Sequence, residues 1–131
     1  MKFYIASTFA NKAAVQTLRD GLVRLGFTHT YDWTQNERAL DAEALAAIGA
    51  LERKAVSACE VFFMLLPAGK GSHIEFGMAL AQKKRIILYA AEPIDPATAP
   101  TFYFDKDVEH VYGSLDACYR QLEKREGNLC H

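Results

Sequence analysis

The sequence contains little cysteine or proline and has no long hydrophobic run. Its 131 residues include three cysteines and four prolines, and the longest apolar run, residues 61–67, is far shorter than the ~20 residues that span a bilayer. Cys59, Cys118 and Cys130 are odd in number and lack metal-ligand spacing. A disulfide scaffold is therefore excluded, and reduced thiols in a cytoplasmic protein are expected. A strand-like run begins at Lys2, so we expect no signal peptide.

An excess of charge of either sign is also absent. The 15 Lys and Arg residues against 16 Asp and Glu give a formal charge of -1 at pH 7. This balance argues against nucleic-acid binding through phosphate contacts and against an anchor on an anionic membrane. Half of the residues are hydrophobic, which is enough for a core, and the length predicts a single domain over residues 1–131.

Short apolar runs alternate with segments of helical periodicity. We predict strands at 3–6, 28–33, 61–66, 85–90 and near 109–112, and helices at 12–25, 41–59, 72–83 and 115–126, the first ended by Gly26. This order predicts an α/β flavodoxin-like, doubly wound fold with a five-stranded, mainly parallel sheet and helices on both faces. Residues 61–66 fit its central strand. Ligands of such sheets bind beyond the carboxyl ends of the strands, which here means the loops 7–11, 32–38, 67–75 and 91–100.

The loop from Gly69 to Ser72 resembles a phosphate-binding loop only in part. Lys70 is followed by Gly71 rather than Ser or Thr, and Met64 stands where the upstream glycine is required. Binding of a nucleoside triphosphate in the Walker manner is therefore not expected. A glycine-containing loop that opens onto a helix N-terminus still favours an anion, with added charge from Lys70; alternatively Lys70 is a solvated turn residue.

Glu75 has two interpretations. Ser72 and Glu75 fit the Ser-x-x-Glu capping box, which would be purely structural. Alternatively, a carboxylate in the first turn of a helix beside the expected crevice stays ionised through the helix dipole, and it would then suit a nucleophile.

Glu52 lies on the same helical stripe as apolar residues, namely Leu45, Ile48, Ala55 and Cys59. A carboxylate on an apolar face is costly to bury unless it is paired. Glu52 is therefore either a boundary residue that reaches water or a partner carboxylate with a raised pKa, available as a general acid. We predict that its carboxylate is largely shielded and shares a cavity with Glu75.

The sequence lacks the residue patterns that metal binding and acyl transfer require. His29, His73, His110 and His131 fall on separate elements without metal-ligand spacing, and no Gly-x-Ser-x-Gly elbow occurs. No metal and no cofactor are expected. Tyr4 fits either the core or a ring that faces the crevice.

Three segments of the sequence resemble the nucleoside 2-deoxyribosyltransferase family, which includes 2′-deoxynucleoside 5′-monophosphate N-hydrolases and is structurally related to TIR domains. They are residues 2–7 (KFYIAS), 72–80 (SHIEFGMAL) and 85–88 (RIIL). The resemblance implies that Glu75 attacks the anomeric carbon and that Glu52 is the acid that assists it. It further implies nucleoside contacts from the loop after the first strand: Ala6, Ser7, Thr8 and Phe9.

The sequence departs from the family at residues 67–70. Transferases often carry an aspartate there to handle the base, whereas this stretch is Pro-Ala-Gly-Lys, which argues against base exchange. Gly69, Gly71 and Ser72 are similar in type to the phosphate loop of the hydrolases but are offset in position. Relatives are commonly oligomeric with sites near subunit interfaces, so a homodimer or a higher homo-oligomer is implied.

Two main hypotheses follow. In the first, an enzyme cleaves or transfers the N-glycosidic bond of a small-molecule nucleoside or nucleoside 5′-monophosphate, with Glu75 attacking C1′ and Glu52 protonating the base or orienting Glu75. Further contacts are expected from Ser7, Phe9, Asp32 and Trp33 to base or sugar, and from Lys70, Gly71 and Ser72 to a hydroxyl or phosphate. In the second, a TIR-like module binds a nucleotide or a partner without turnover. A structural domain, with Glu75 used as a cap and Glu52 solvated, is a third.

Overall fold

The computed structural model describes residues 1–39 and 41–129, with the backbone alone for 125–129. Cys130 and His131 lie outside the described residues. The elements run in the order β1 (Lys2–Ala6), α1 (Lys12–Arg24), β2 (Thr28–His29), α2 (Ala42–Ala58), β3 (Val61–Leu65), α3 (Lys70–Ala81), β4 (Arg85–Ala90), β5 (Val108–Tyr112) and α4 (Asp116–Leu129).

The five strands form one parallel sheet in the order β2-β1-β3-β4-β5. This is the flavodoxin-like order, in which the direction of winding reverses between β1 and β3. All five residues of β3 are buried, because an apolar strand flanked by two others and covered on both faces leaves no side chain exposed. The predicted fold class and the central position of β3 are confirmed.

The core fills both faces of the sheet, but α2 contributes little to it. Phe3, Tyr4, Phe62 and Phe63 are among its largest fully buried side chains. Only Ala55 and Val56 of α2 are buried. The amino-terminal part of α2 therefore stands away from the core and leaves space above the sheet.

Local hydrogen bonds and backbone conformation determine where the helices begin and end. Asp41 caps α2 by accepting the Ala44 N–H at 2.8 Å, and Gly26 adopts the positive φ of 94° that the position after a helix end favours. Asn11 stands at the N-cap of α1, but its side chain makes no capping bond. Within the described ranges, no helix is long and apolar enough to cross a membrane.

β2 is shorter than the predicted 28–33. The chain leaves the strand after His29 and forms a 3-10 turn at Trp33–Gln35, where the Asp32 carboxylate accepts the Thr34 N–H at 3.1 Å. The Trp33 indole N–H donates to the Ile5 carbonyl at 2.7 Å. Trp33, whose aromatic side chain is typical of a strand, is therefore buried through a tertiary contact and not as part of β2.

α3 begins at Lys70, two residues earlier than predicted. Gly69 is its N-cap, and Ser72, in the first turn, accepts the Gly69 N–H at 3.2 Å through its hydroxyl. The capping box expected between Ser72 and Glu75 is not formed. The Glu75 carboxylate is consequently not used as a helix cap.

Candidate active site

A cavity of about 830 Å³ opens at the carboxyl ends of β1, β2 and β3. This is within the usual size of a small-molecule site. It lies beside the reversal of winding, where ligands of such sheets bind. Its lining comes from four elements: Ser7, Thr8 and Phe9 after β1; Trp33, Asn36, Glu37, Arg38 and Ala39 after β2; Leu45, Ile48 and Glu52 of α2; and Gly69, Gly71, Ser72 and Glu75 at the start of α3.

Glu75 is a buried carboxyl in the wall of this cavity, with only 9% of its surface exposed. Its Oε2 accepts a hydrogen bond of 2.7 Å from the hydroxyl of Tyr4, which is itself fully buried in β1. A buried tyrosine hydroxyl needs a partner, and so does a buried carboxylate. Each of these two groups satisfies the other.

The surroundings of Glu75 disfavour its ionisation. The pKa of Glu75 is raised to about 8, mainly by burial; the hydrogen bond from Tyr4 acts in the opposite direction, and the nearby charge of Glu52 adds to the effect of burial. Like charges close together cannot both ionise easily. The pair of carboxyls therefore retains a proton near neutral pH.

Glu52 lines the same cavity from the α2 side. It is half-buried. Burial raises the pKa of Glu52, while its interaction with the polar groups of Glu75 and Tyr4 partly lowers it. Two carboxyls that line one cavity, one deeply buried and one partly solvated, are suited to divide the roles of nucleophile and acid.

The start of α3 is tied to the loop after β1 by side-chain hydrogen bonds. The Ser72 hydroxyl donates to the Ser7 carbonyl at 2.8 Å, and the Ser7 hydroxyl donates to the Leu65 carbonyl at 2.8 Å. The single hydroxyl proton of Ser72 is engaged in the bond to the Ser7 carbonyl. The donors that remain for an anion are the backbone N–H groups of residues 70–72, which the helix itself leaves without partners.

His73 supports this loop from the side away from the cavity. Its Nδ1 donates to the Gly69 carbonyl at 2.6 Å, and its Nε2 accepts from the Tyr103 hydroxyl at 2.7 Å. The carbonyl partner requires a proton on Nδ1, which assigns the tautomer. The two bonds join the start of α3 to the loop between β4 and β5.

Two aromatic rings form one wall of the cavity. Phe9 and Trp33 meet edge to face with their centroids 5.6 Å apart. Trp33 is buried and held through its indole N–H, whereas Phe9 is 50% exposed. The exposed ring of Phe9 is available to contact a planar ligand.

The structure brings together most of the residues that the sequence predicts for the site. Those that line the cavity are Glu75, Glu52, Ser7, Thr8, Phe9, Trp33, Gly71 and Ser72. Ala6 is not among the lining residues and is fully buried in β1. Lys70 is exposed and also lies outside the lining.

Asp32 does not line the cavity, because its carboxylate is engaged elsewhere. It accepts hydrogen bonds from Arg19 and Thr34. Burial acts to raise the pKa of Asp32, but the bonds from Thr34 and Arg19 outweigh it and the pKa is lowered. Asp32 therefore fixes the turn that carries Trp33.

Sequence reasoning missed the contribution of residues 36–39, which line the cavity after β2. The sequence predicts a ligand near the polar loop 32–38, but nothing in the pattern distinguishes Arg38 from a solvated side chain. For the same reason the sequence does not decide whether Tyr4 lies in the core or faces the cavity. Among the side chains that the structure describes, no group of three His, Cys, Asp or Glu residues is arranged to hold a metal ion.

Comparison with known proteins identifies the fold. No protein-family model matches the sequence, and no curated protein is significantly similar to it. Among solved structures, the chain is similar to the Clostridium botulinum CMP N-glycosidase BcmB, with a TM-score of 0.68 and 21% identity over 94% of this chain and 99% of that one. It is also similar to a conserved protein from Enterococcus faecalis V583, with a TM-score of 0.61 and 13% identity over 95% of this chain and 98% of that one. The chain thus shares the fold of a CMP N-glycosidase.

Proposed function

We propose that this protein hydrolyses the N-glycosidic bond of a nucleoside 5′-monophosphate, with Glu75 as nucleophile. The observation that carries the proposal is the buried Glu75 carboxyl, held by Tyr4 in a cavity that it shares with Glu52. The fold shared with BcmB, which is a CMP N-glycosidase, supports the same class of reaction. A carboxylate built only for stability would not need to line an open cavity.

The first step transfers the sugar to the enzyme. A carboxylate oxygen of Glu75 bonds to C1′ as the bond from C1′ to the base nitrogen breaks, and the electron pair of that bond leaves with the base. Glu52 donates its proton to the departing base. In the reactive state, the one proton that the carboxyl pair retains is on Glu52. Glu52 can therefore act as the acid, and Glu75 is ionised.

The second step releases the sugar. Water bonds to C1′, the ester bond from C1′ to Glu75 breaks, and Glu52, now ionised, accepts a proton from the water. The products are the free base and a sugar 5-phosphate. Water rather than a second base is the proposed acceptor because residues 67–70 contain no acid to handle an incoming base.

The free N–H groups at the start of α3 favour a substrate that carries a 5′-phosphate. Those of residues 70–72 precede Glu75 by three to five positions on the same helix. A phosphate bound there can place its sugar over the carboxylate. Phe9 and Trp33 then offer an aromatic wall for the base.

Release of free base from a nucleotide panel tests the proposal. Wild-type protein and Glu75→Gln are incubated with ribo- and deoxyribonucleoside 5′-monophosphates, and free base is quantified by chromatography. We expect release by the wild type and loss of more than about 10³-fold in the variant, the scale seen when a nucleophile is removed. Retention of a nucleotide without base release by the wild type would instead favour a TIR-like binding module.

A homodimer, which the family resemblance implies, remains part of the proposal. Leu45 and Leu51 on α2 and Ile74 on α3 are 58%, 49% and 68% exposed, and these two helices pack against each other. Exposed apolar side chains of this size favour association with a second copy. Light scattering after size-exclusion chromatography measures the mass directly.

A further inference from the structure

An arginine lines the cavity and has no role in the two proposed steps. Of the described residues that line the cavity, Arg38 is the one cation, and the same lining includes Glu37, Glu52 and Glu75. Within the described part of the chain, the Arg38 side chain takes part in no hydrogen bond or ion pair. Two other arginines, Arg19 and Arg85, are held by carboxylates. A cationic side chain left without a protein partner in a ligand-sized cavity is available to a ligand.

Arg38 lies in a segment whose start is fixed. The Asn36 N–H donates to the Trp33 carbonyl at 3.1 Å, and the Asn36 amide donates to the Tyr31 hydroxyl at 2.8 Å. Beyond this anchor, residues 37–39 line the cavity. Arg38 therefore lies two residues after an anchored position.

The strand order places Arg38 and the proposed phosphate site on opposite sides of β1. β1 lies between β2 and β3, so the carboxyl ends of the two strands that lead to Arg38 and to α3 are about 10 Å apart, or two strand spacings. A nucleotide with its phosphate at residues 70–72 and its C1′ at Glu75 directs its base toward the opposite wall. That wall consists of Phe9, Trp33 and the segment that carries Arg38.

We infer, on the basis of the proposed function, that Arg38 binds the C2 carbonyl oxygen of a pyrimidine base and stabilises the negative charge that develops there as the base leaves. When the bond from C1′ to N1 breaks, its electron pair passes to the base and is shared between N1 and the C2 oxygen. A guanidinium is always charged and cannot itself supply the proton. Arg38 thus provides electrostatic stabilisation while Glu52 provides the proton.

This role selects pyrimidines over purines. In a purine the ring atoms beside the glycosidic nitrogen are C4 and C8, neither of which is a carbonyl, and the departure of the base is assisted mainly by protonation of the imidazole ring. Arg38 therefore lowers the barrier for CMP and UMP far more than for AMP and GMP. The preference follows from where the charge develops and not from the size of the cavity.

Steady-state kinetics on four nucleotides test the inference. We compare wild type, Arg38→Gln, Arg38→Lys and the control Arg53→Gln, which removes an exposed arginine from α2 outside this cavity. In Arg38→Gln we expect kcat for CMP and UMP to fall about 10²-fold, as on removal of one oxyanion-hole donor, with purine turnover little changed. Arg38→Lys should recover part of the loss, and Arg53→Gln should match the wild type.

A leaving-group series separates catalysis from binding. 5-Fluorouridine 5′-monophosphate carries a better leaving base than UMP, so its turnover should depend less on Arg38 and should lose less in Arg38→Gln. Thermal melting of the variant should match the wild type, because Arg38 is exposed.

Each other outcome overturns the inference. A rise in KM without loss of kcat would make Arg38 a binding residue only, and an equal loss on all four nucleotides would make it a phosphate ligand. In both cases wild-type base release would leave the proposed function standing. If the wild type releases base from none of the nucleotides, both the inference about Arg38 and the proposed function are overturned.

Discussion

The hydroxyl of Tyr4 donates a 2.7 Å hydrogen bond to Oε2 of Glu75, joining the first strand to the third helix across 71 positions of the sequence. Burial, and then the negative charge of Glu75, raise the pKa of Tyr4. Tyr4 therefore remains protonated and acts as the donor throughout the physiological range. The bond holds the carboxyl in the cavity wall and favours its ionised form against the effect of burial.

Tyr4→Phe removes this bond without changing the shape of the ring. A hydrogen bond to a charged group contributes ~1.5–3 kcal/mol, so kcat should fall about 10- to 100-fold. The proposed mechanism needs one proton on the carboxyl pair, so activity should decline at the pH where that proton is lost. Since the bond from Tyr4 lowers the pKa of Glu75, its loss should shift this decline to higher pH. The pH profile of kcat/KM measures both effects.

Tyr119→Phe, on α4 and outside the cavity, is the matched control and should leave the profile unchanged. An unchanged profile in Tyr4→Phe as well would show that the bond does not act on the reacting carboxyl.

The raised pKa of Glu75 also makes stability depend on pH. Its carboxyl has a pKa of about 8 in the folded protein against an ordinary value of 4.5. Below the lower value both states are protonated and Glu75 contributes no pH dependence. Between the two values the unfolded chain releases the proton while the folded chain retains it, so stability falls as pH rises through this window.

Glu75→Gln removes this loss of stability. We expect the free energy of unfolding of Glu75→Gln, relative to that of the wild type, to increase by a few kcal/mol as the pH rises from 4.5 to 8.5, since each pKa unit corresponds to about 1.4 kcal/mol. Urea titrations at the two pH values measure the difference. Glu123→Gln, an exposed change on α4, should show no such trend; an identical trend in the two variants would contradict the raised pKa.

Patterns carried by short stretches of sequence predicted most of the fold. The all-apolar run at β3 specified a strand covered on both faces, and Gly26 marked the end of α1 because only its lack of a side chain makes a positive φ inexpensive. The alternation of strands and helices then left few topologies. These features depend on neighbours in the chain, so the sequence is sufficient to find them.

The features that the sequence did not predict depend on distant partners. Trp33 leaves the expected strand because its indole N–H reaches Ile5, and α3 starts early while Ser72 bonds both to Gly69 and to the Ser7 carbonyl. The sequence predicts that Asp32 contacts the base or sugar, but its carboxylate forms an ion pair with Arg19. None of these contacts has a periodic signal, and each becomes visible only when the elements are packed together.

Ser72→Ala should loosen the loop that is proposed to bind phosphate. The change leaves the Gly69 N–H and the Ser7 carbonyl without their partner, which costs about 1–3 kcal/mol of stability for a buried group. Affinity for a nucleoside 5′-monophosphate should fall while that for the nucleoside changes less. Calorimetry at fixed salt compares the two ligands.

Lys70→Ala serves as the comparison for the loop. Lys70 lies outside the cavity lining, so its loss should cause a smaller decrease that disappears at high salt, as expected for a screened surface charge. A larger effect from Lys70→Ala than from Ser72→Ala would contradict phosphate binding by the backbone N–H groups.

Phe9→Ala tests the aromatic wall. Phe9 is half exposed, so the change should alter stability little while removing a surface on which a base can stack, an interaction that contributes about 1–3 kcal/mol. KM should rise for all four nucleotides by about tenfold, the lower part of that range. Phe102→Ala, a comparably exposed phenylalanine that lines no part of this cavity, should have no effect.

Covalent trapping tests the identity of the nucleophile most directly. A 2′-fluoro-arabinonucleoside 5′-monophosphate slows release of the sugar more than its transfer to the enzyme, so the intermediate should accumulate and be visible by intact-mass spectrometry. We expect one sugar phosphate per wild-type chain, mapped to the peptide that contains Glu75, and none on Glu75→Gln. Label on another residue, or undiminished labelling of Glu75→Gln, would contradict it.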